Sequence, residues 1–142
     1  MSVTIEAAQE TDEAGVVALW QACGLTVPYN DPATDFRFAR AGAASDVLVA
    51  RAADGAVAGT VMVGHDGHRG WLYYLAAAPS RQGEGIGRLM VEAAEHWLRM
   101  RGIVKVQLLV RETNTRVVGF YQHLGFEVAP RTVMSKWLDG RD

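Results

Sequence analysis

The sequence predicts a mixed α/β fold (α+β), with strands and helices building one domain over residues 1–142. Three apolar, β-branched stretches follow one another at residues 46–52, 57–65 and 71–78. Ala-Asp-Gly joins the first two and Asp66-Gly67 follows the second, and both are residues of tight turns. The middle of the chain is therefore an antiparallel meander, and a long amphipathic segment comes after it. This order does not fit the repeated βαβ units of a Rossmann fold.

The N-terminal third predicts one strand and two helices. Residues 3–7 alternate apolar and polar side chains, as an edge strand does, and Thr11 or Asp12 then provides a helix cap. The first helix ends at Gly24, and its apolar face consists of Val16, Val17, Leu19, Trp20 and Cys23. A loop with two prolines and Tyr29 separates it from a second helix at residues 33–43.

The C-terminal half predicts two more helices. The long one ends at Gly102, and its apolar stripe consists of Ile86, Leu89, Met90, Ala93, Ala94, Trp97 and Leu98. A buried strand at residues 104–110 follows it, and then a helix at residues 114–124 that Gly125 closes. One or two final strands lie around residues 132–138.

Composition excludes several classes of protein. Fourteen Lys and Arg against sixteen Asp and Glu give a net charge of -2, which offers no basic field for nucleic acid. The single cysteine, Cys23, excludes an internal disulfide and suits a reducing compartment, and we expect it in the core, far from the motifs below. Since the sequence shows neither a secretory pattern nor an apolar run of bilayer length, we expect a cytoplasmic protein without membrane contact.

A glycine-rich loop precedes the long helix, with the sequence Gln82-Gly83-Glu84-Gly85-Ile86-Gly87. Glycines leave backbone N–H groups uncovered, and a helix N-terminus adds positive potential, so the loop suits a pyrophosphate. Arg81 and Arg88 flank it with positive charge, although a flexible surface turn is the alternative interpretation. A dinucleotide site would need an acidic residue near Lys105 or Gln107, and a P-loop would need Lys and Ser or Thr after Gly87.

The loop resembles the acetyl-coenzyme A loop of the GNAT N-acetyltransferase superfamily at Gln82, Gly85 and Gly87. Asn114 and the segment Phe120-Tyr121-Gln122-His123-Leu124-Gly125-Phe126 resemble a second signature of that family. The resemblance spans nearly the whole chain and implies a GNAT-like mixed sheet, splayed at its middle and flanked by helices. Residues 28–32 and 66–70 further resemble the small bacterial YpeA-type branch.

The resemblance implies acetyl-CoA as acyl donor, with no metal, and a role for each motif residue. The implied donor-binding residues are Leu75, Ala76, Ala77, Gln82, Gly83, Glu84, Gly85, Ile86, Gly87, Arg88 and Asn114. Tyr121 is the implied general acid, because a phenol can return a proton to the departing thiolate. Without the motif, Tyr121 would be a packed aromatic residue and Asn114 a helix cap.

No single carboxylate is implied as the general base, because Leu109 and Tyr73 stand where relatives carry Glu. The candidates are Glu112, Tyr73, Tyr74, Asp31, His68 and a chain of water molecules. Residues 29–31 form either a lip for the acceptor or an Asx turn. His65, Asp66 and His68 could ligate a metal, but turn chemistry explains Asp66 better.

These observations predict an acetyl-CoA-dependent N-acetyltransferase. The acceptor would be a primary amine of a small molecule, an amino acid or a peptide terminus, attacking directly in a ternary complex. The alternative is a non-catalytic acyl-CoA sensor that kept the loop and lost its base. Trp137 is either a core residue or a homodimer contact.

Overall fold

A five-stranded sheet organises the first part of the chain, in the computed structural model that describes residues 2–141. The elements are β1 (Val3–Ala7), α1 (Glu13–Ala22), α2 (Pro32–Ala41), β2 (Ser45–Ala52), β3 (Val57–His65), β4 (Gly70–Ala77), α3 (Ile86–Arg99), β5 (Val106–Gln107) and α4 (Thr115–His123). Two compact units divide at Leu108, so that the sheet belongs to the first and α4 to the second. Each unit is described by itself.

The sheet follows chain order, β1-β2-β3-β4-β5. The first four strands pair antiparallel, and β5 pairs parallel to β4. The predicted antiparallel meander is therefore confirmed, and the parallel fifth strand makes the sheet mixed.

Helices cover both faces of the sheet. Trp20 of α1 and Phe36 of α2 are fully buried and pack with Val47 and Val49 of β2 on one face. The helix α3 packs on β2, β3 and β4 through a stripe that consists of Ile86, Met90, Val91, Ala94 and Leu98, all buried. Four residues of the predicted α3 stripe are therefore in the core, but Leu89, Ala93 and Trp97 are only partly buried. Val91, which the prediction did not include, is buried instead.

Two predicted strands differ from the structure. The fifth spans only Val106–Gln107, which pair with Gly70 and Trp71 of β4. Residues 132–138 form no strand, and Val133, Met134 and Leu138 are exposed. A strand exists only where a neighbouring strand completes its hydrogen bonds, and the described residues 109–141 hold no other strand to pair with it.

The start of α1 also differs from expectation. Asp12 occupies the cap position, but its carboxylate does not cap the helix. It accepts instead from the Gln9 N–H at 2.8 Å and from Arg51 Nη2 at 2.9 Å. Asp12 therefore ties the entry to α1 to the β2 strand.

Candidate active site

The glycine loop connects β4 to α3 in a conformation that exposes its main chain. Gly83 and Gly85 have φ values of 83° and 77°, in the left-handed region that glycine adopts without strain. A Cβ built at either glycine would meet no protein atom within 4 Å, so both face open space. Gly85 is the N-cap of α3 and has no side chain to cap it.

The first turn of α3 consequently has free donors. The first helical hydrogen bond runs from Leu89 N–H to the Gly85 carbonyl at 3.1 Å. Within residues 2–141, the N–H groups of Ile86, Gly87 and Arg88 have no acceptor. Such an end carries partial positive charge and is suited to an anion.

The two arginines predicted to flank the loop lie in ion pairs. Arg81 Nη1 is 3.4 Å from Glu84 Oε1, and Arg88 Nε is 2.9 Å from Glu92 Oε1. The first pair is half-buried and the second is exposed, and surface ion pairs of this kind contribute little to stability. Both guanidinium groups can therefore turn towards an anion at small cost.

A β-bulge interrupts β4 just before the loop. The register passes from Met62↔Tyr73 to Thr60↔Ala76, so that Tyr74 and Leu75 oppose one residue of β3. Tyr74 has φ 52°, and no other non-glycine residue in the range 2–141 has a positive φ. The Thr60 hydroxyl donates to the Tyr74 carbonyl at 3.0 Å, which replaces the ladder bond that the bulge removes.

Beyond the bulge, one edge of β4 is open. The Ala78 N–H donates to the Ala58 carbonyl at 2.8 Å, so strand alternation turns the main-chain groups of Leu75 and Ala77 away from β3. The described part of the first unit places no strand on that side, because β5 pairs only with Gly70 and Trp71. The sheet is therefore splayed from Leu72 onward, as the resemblance implied.

Cys23 lies against this edge, which corrects the expectation that it is far from the motifs. It follows α1 directly, is partly buried against the core, and its thiol donates to the Ala77 carbonyl at 3.4 Å. Burial raises the pKa of the Cys23 thiol, which disfavours the thiolate.

An open pocket of about 550 Å³ lies beside β4, between α2 and β3. Its lining includes Asp35 and Phe38 of α2, Met62 of β3, the turn residue Asp66, and Trp71 and Tyr73 of β4. Asp35 is a site residue that sequence reasoning missed. Its Oδ2 accepts the Tyr74 hydroxyl at 2.7 Å, across 39 residues of chain.

Two of the predicted base candidates are engaged otherwise. Burial and the bond to Asp35 raise the pKa of Tyr74, so its hydroxyl is a donor. Asp31 caps α2, since its Oδ1 accepts from Ala33 N–H at 3.2 Å and its Oδ2 from Thr34 at 2.7 Å. The Thr34 hydroxyl holds the pKa of Asp31 below its usual range. At Asp31 the structure thus has the Asx turn of the second interpretation.

The Asp66 turn is built by hydrogen bonds. Asp66 Oδ1 accepts from the N–H groups of His68 and Arg69 at 2.9 and 2.7 Å, and these bonds lower the pKa of Asp66 to about 2. His65 Nδ1 accepts the Gly67 N–H at 3.1 Å. The described residues contain no group of three side chains placed to hold a metal ion.

The second unit holds the other predicted site residues. Asn114 caps α4 through a bond from Val117 N–H at 3.4 Å. Tyr121 is buried, with its ring edge-on to Phe120 and Phe126 at centroid distances of 5.1 and 5.3 Å. Burial raises the pKa of Tyr121 to about 12. Glu112 is exposed, two residues before Asn114.

None of the helices described in residues 2–141 combines the length and apolar character that a bilayer crossing requires.

Comparison with known proteins gives one consistent family. The model of the Acetyltransferase (GNAT) family matches residues 13–126. An acetyltransferase of Pectobacterium atrosepticum is 35% identical over 130 residues, which cover 92% of this chain and 92% of that protein.

Two solved structures share the fold. AAC(6′)-Iy, in complex with the bisubstrate analogue CoA-S-monomethyl-acetylneamine, has a TM-score of 0.82 and 18% identity, over 96% of this chain and 99% of that one. Glucosamine-6-phosphate N-acetyltransferase from Arabidopsis thaliana has a TM-score of 0.73 and 22% identity, over 98% of this chain and 100% of that one. The family match, the acetyltransferase relative and this shared mixed sheet lead to one conclusion: the chain belongs to the GNAT family of acetyltransferases.

Proposed function

We propose that this acetyltransferase moves the acetyl group of acetyl-CoA to a primary amine of a small molecule, an amino acid or a peptide terminus, by direct attack in a ternary complex. The observation that carries the proposal is that one continuous segment, from β4 through the loop to α3, presents unpaired main-chain donors in two places. The open edge of β4 is the first, and the uncapped start of α3 is the second.

The loop suits the diphosphate of the donor. The free N–H groups of Ile86, Gly87 and Arg88 would donate to phosphate oxygens, while the side-chain-free Gly83 and Gly85 allow close approach. Gln82 and Glu84 complete the loop, and Arg81 and Arg88 would balance the negative charge. AAC(6′)-Iy, which has the same fold, is bound to a coenzyme A analogue, which supports this assignment.

The open edge of β4 suits the pantetheine arm and the thioester. Leu75 and Ala77 turn main-chain groups towards the edge that β5 leaves free, and an amide-containing chain can add there as a further strand would. The Leu75 N–H, beside the bulge, would stabilise negative charge on the thioester oxygen. The small side chains of Ala76 and Ala77 leave room for this approach.

Direct attack requires no nucleophile from the enzyme. Cys23 is the single cysteine, and its thiol is held by the Ala77 carbonyl with a raised pKa. A thiol in that state is a poor acyl acceptor. We therefore assign the attack to the amine itself.

Proton transfers complete the reaction. Tyr121 would return a proton to the thiolate, and its raised pKa keeps the phenol protonated at neutral pH. Asn114 would contact the donor as well as cap α4. The amine proton would go to Tyr73, His68, Glu112 or water, because Tyr74 and Asp31 are engaged in the bonds described above.

We propose that residues 1–142 act as one N-acetyltransferase domain, since the family match at 13–126 extends across both units. A cytoplasmic location remains a prediction that the single cysteine supports. Membership of the YpeA-type branch and a homodimer through Trp137 also remain predictions.

The test has two measurements. Release of free coenzyme A thiol from acetyl-CoA with a panel of primary amines reports transfer, and calorimetric titration with acetyl-CoA reports donor binding. We expect donor binding and thiol release that depends on the amine. Binding without release for any amine would favour the non-catalytic acyl-CoA sensor instead. Absence of donor binding would refute both.

A further inference from the structure

We propose that the pocket between α2 and β3 binds the acceptor, and that this acceptor is an amine with an apolar or aromatic side group. The two carboxylates of the pocket, Asp35 and Asp66, disfavour acceptors that themselves carry a carboxylate. The inference rests on the proposed transfer to a primary amine and names the class of that amine.

The acidic side chains that line the pocket are not balanced by a lysine or an arginine of residues 2–108. Asp35, Asp66 and His65 are its only acidic or histidine lining residues among residues 2–108, and no Lys or Arg of that range lines it. Three hydrogen bonds keep the pKa of Asp66 near 2, so this carboxylate is ionised at neutral pH. The nearby arginines are engaged elsewhere, Arg37 with Glu13 and Arg69 with the His68 carbonyl.

Asp35 has a free oxygen. Its Oδ2 accepts the Tyr74 hydroxyl, and its Oδ1 has no donor among residues 2–141. An ammonium group donates strongly to such an oxygen, because both partners are charged. Asp35 is therefore suited to receive the amine end of the acceptor.

Most of the remaining wall is apolar and aromatic, and Thr34 and Ser45 add two hydroxyl groups to it. Phe38 is 81% exposed and Tyr73 is 48% exposed, although both are large hydrophobic residues. Together with Met62 and Trp71 they surround the carboxylates with surface that water solvates poorly. Aromatic rings also attract cations, so the wall favours an organic cation over an inorganic one.

The pocket ends beside the proposed reaction centre. Tyr73 lines it, and Leu75, which we assign to the thioester, lies two residues further along β4. Even a fully extended strand would place their main chains no more than about 7 Å apart, and the bulge at Tyr74 shortens this path. An amine bound at Asp35, which is bonded to the intervening Tyr74, is thus within reach of the acyl group.

An α-carboxylate on the acceptor would meet this negative wall. Like charges that are brought together in a partly desolvated pocket repel, and among residues 2–108 no arginine or lysine lines the pocket to offset the repulsion. Amines without a carboxylate should therefore be better acceptors than the corresponding amino acids.

The experiment compares matched acceptors: 2-phenylethylamine with phenylalanine, and 3-methylbutylamine with leucine. Each pair differs by one carboxylate. We expect kcat/KM to be at least about tenfold higher for the amine of each pair, as one unfavourable charge contact of ~1.4 kcal/mol implies. Asp35→Asn keeps an acceptor for Tyr74 while it removes the charge, and it should reduce this preference severalfold.

Asp66→Asn is the second variant, and it should also reduce the ratio of kcat/KM for the amine to that for the amino acid. Asp54→Asn is the matched control, because Asp54 caps the turn at the opposite end of β3 through Ala56 N–H at 3.0 Å. It should leave the preference and the rate unchanged. Calorimetry with acetyl-CoA and thermal unfolding of each variant confirm that donor binding and folding persist.

This inference would be overturned if kcat/KM were equal for the amine and the amino acid of each pair. It would also be overturned if other amines caused thiol release but 2-phenylethylamine and 3-methylbutylamine did not. Either result would leave the proposed function standing. A preference unchanged in both pocket variants would overturn the role of the two carboxylates. Donor binding without thiol release for any amine would overturn the proposed function, and this inference with it.

Discussion

Trp20 stacks face to face on Tyr74, with ring centroids 3.9 Å apart and planes inclined by 11°. The Trp20 indole N–H also donates to the Thr60 hydroxyl at 2.9 Å, and that hydroxyl donates to the Tyr74 carbonyl. Tyr74 is thus held at both its ring and its main chain in a left-handed conformation that is costly for a bulky residue. This contact from α1 maintains the bulge at which β4 opens.

Replacement of Thr60 by Val should destabilise the protein and weaken donor binding together. The Trp20 N–H and the Tyr74 carbonyl would lose their shared partner inside the core, where Thr60 is fully buried. We expect a loss of about 2 kcal/mol in the free energy of unfolding, measured in urea, and a higher Kd for acetyl-CoA. Thr60→Ser keeps the hydroxyl and is the control; equal Kd values for all three proteins would show that the bulge does not govern donor binding.

A substitution at Gly85 separates donor binding from folding. Gly85→Ala forces alanine into φ 77° and adds a methyl group where the diphosphate would lie. Gly102→Ala imposes the same strain at φ 76°, also with no atom within 4 Å, but at the other end of α3.

Both alanine variants should lose about 1 kcal/mol of stability. Only Gly85→Ala should raise the Kd for acetyl-CoA, by about tenfold or more. The added methyl group would displace the diphosphate and cost it one hydrogen bond from the loop, and a hydrogen bond to a charged group is worth about that much. Calorimetric titration measures this difference, and similar Kd values for the two variants would place the diphosphate elsewhere.

The sequence predicts the parts of this site that depend on local pattern. The apolar, β-branched stretches of β2, β3 and β4 and the Asp54-Gly55 turn indicate the meander, since strand propensity and turn chemistry are local properties. The glycine loop is found by its motif, and Asn114 by the rule for helix caps.

Features that depend on contacts between distant residues were not predictable. Nothing in the run Tyr73–Tyr74–Leu75 distinguishes a bulge from a regular strand, because the bulge is imposed by Trp20 and Thr60. Asp35 was missed because its partner Tyr74 is 39 residues away. The strand predicted at residues 132–138 has the right pattern, but a pattern does not supply a partner strand.

Acid should destabilise the protein through Asp12. Arg51 holds the pKa of Asp12 below its ordinary value of 3.8, so the folded state binds this proton more weakly than the unfolded chain. The stabilisation is therefore fully present above about pH 5 and is lost as the pH falls through the folded-state pKa. Asp12→Asn should lower the free energy of unfolding by about 2 kcal/mol at pH 7. It should also make the urea midpoint of unfolding depend less on pH between about pH 5 and pH 2.

The control for acid sensitivity is Asp54→Asn, which removes a carboxylate from an exposed turn. It should leave the slope of the urea midpoint against pH close to that of the original chain. If Asp12→Asn retained the full slope, the acid sensitivity would originate in other carboxylates.

Tyr121→Phe tests the assignment of the proton donor. The phenyl ring keeps the edge contacts with Phe120 and Phe126, so stability and the Kd for acetyl-CoA should change little. Loss of a general acid should lower kcat by about 100-fold. Because burial raises the pKa of Tyr121 to about 12, ionisation of this group should not reduce kcat of the original enzyme below pH 10. A kcat that is the same in both proteins from pH 6 to pH 10 would remove Tyr121 from the reaction and leave water as the source of the thiol proton.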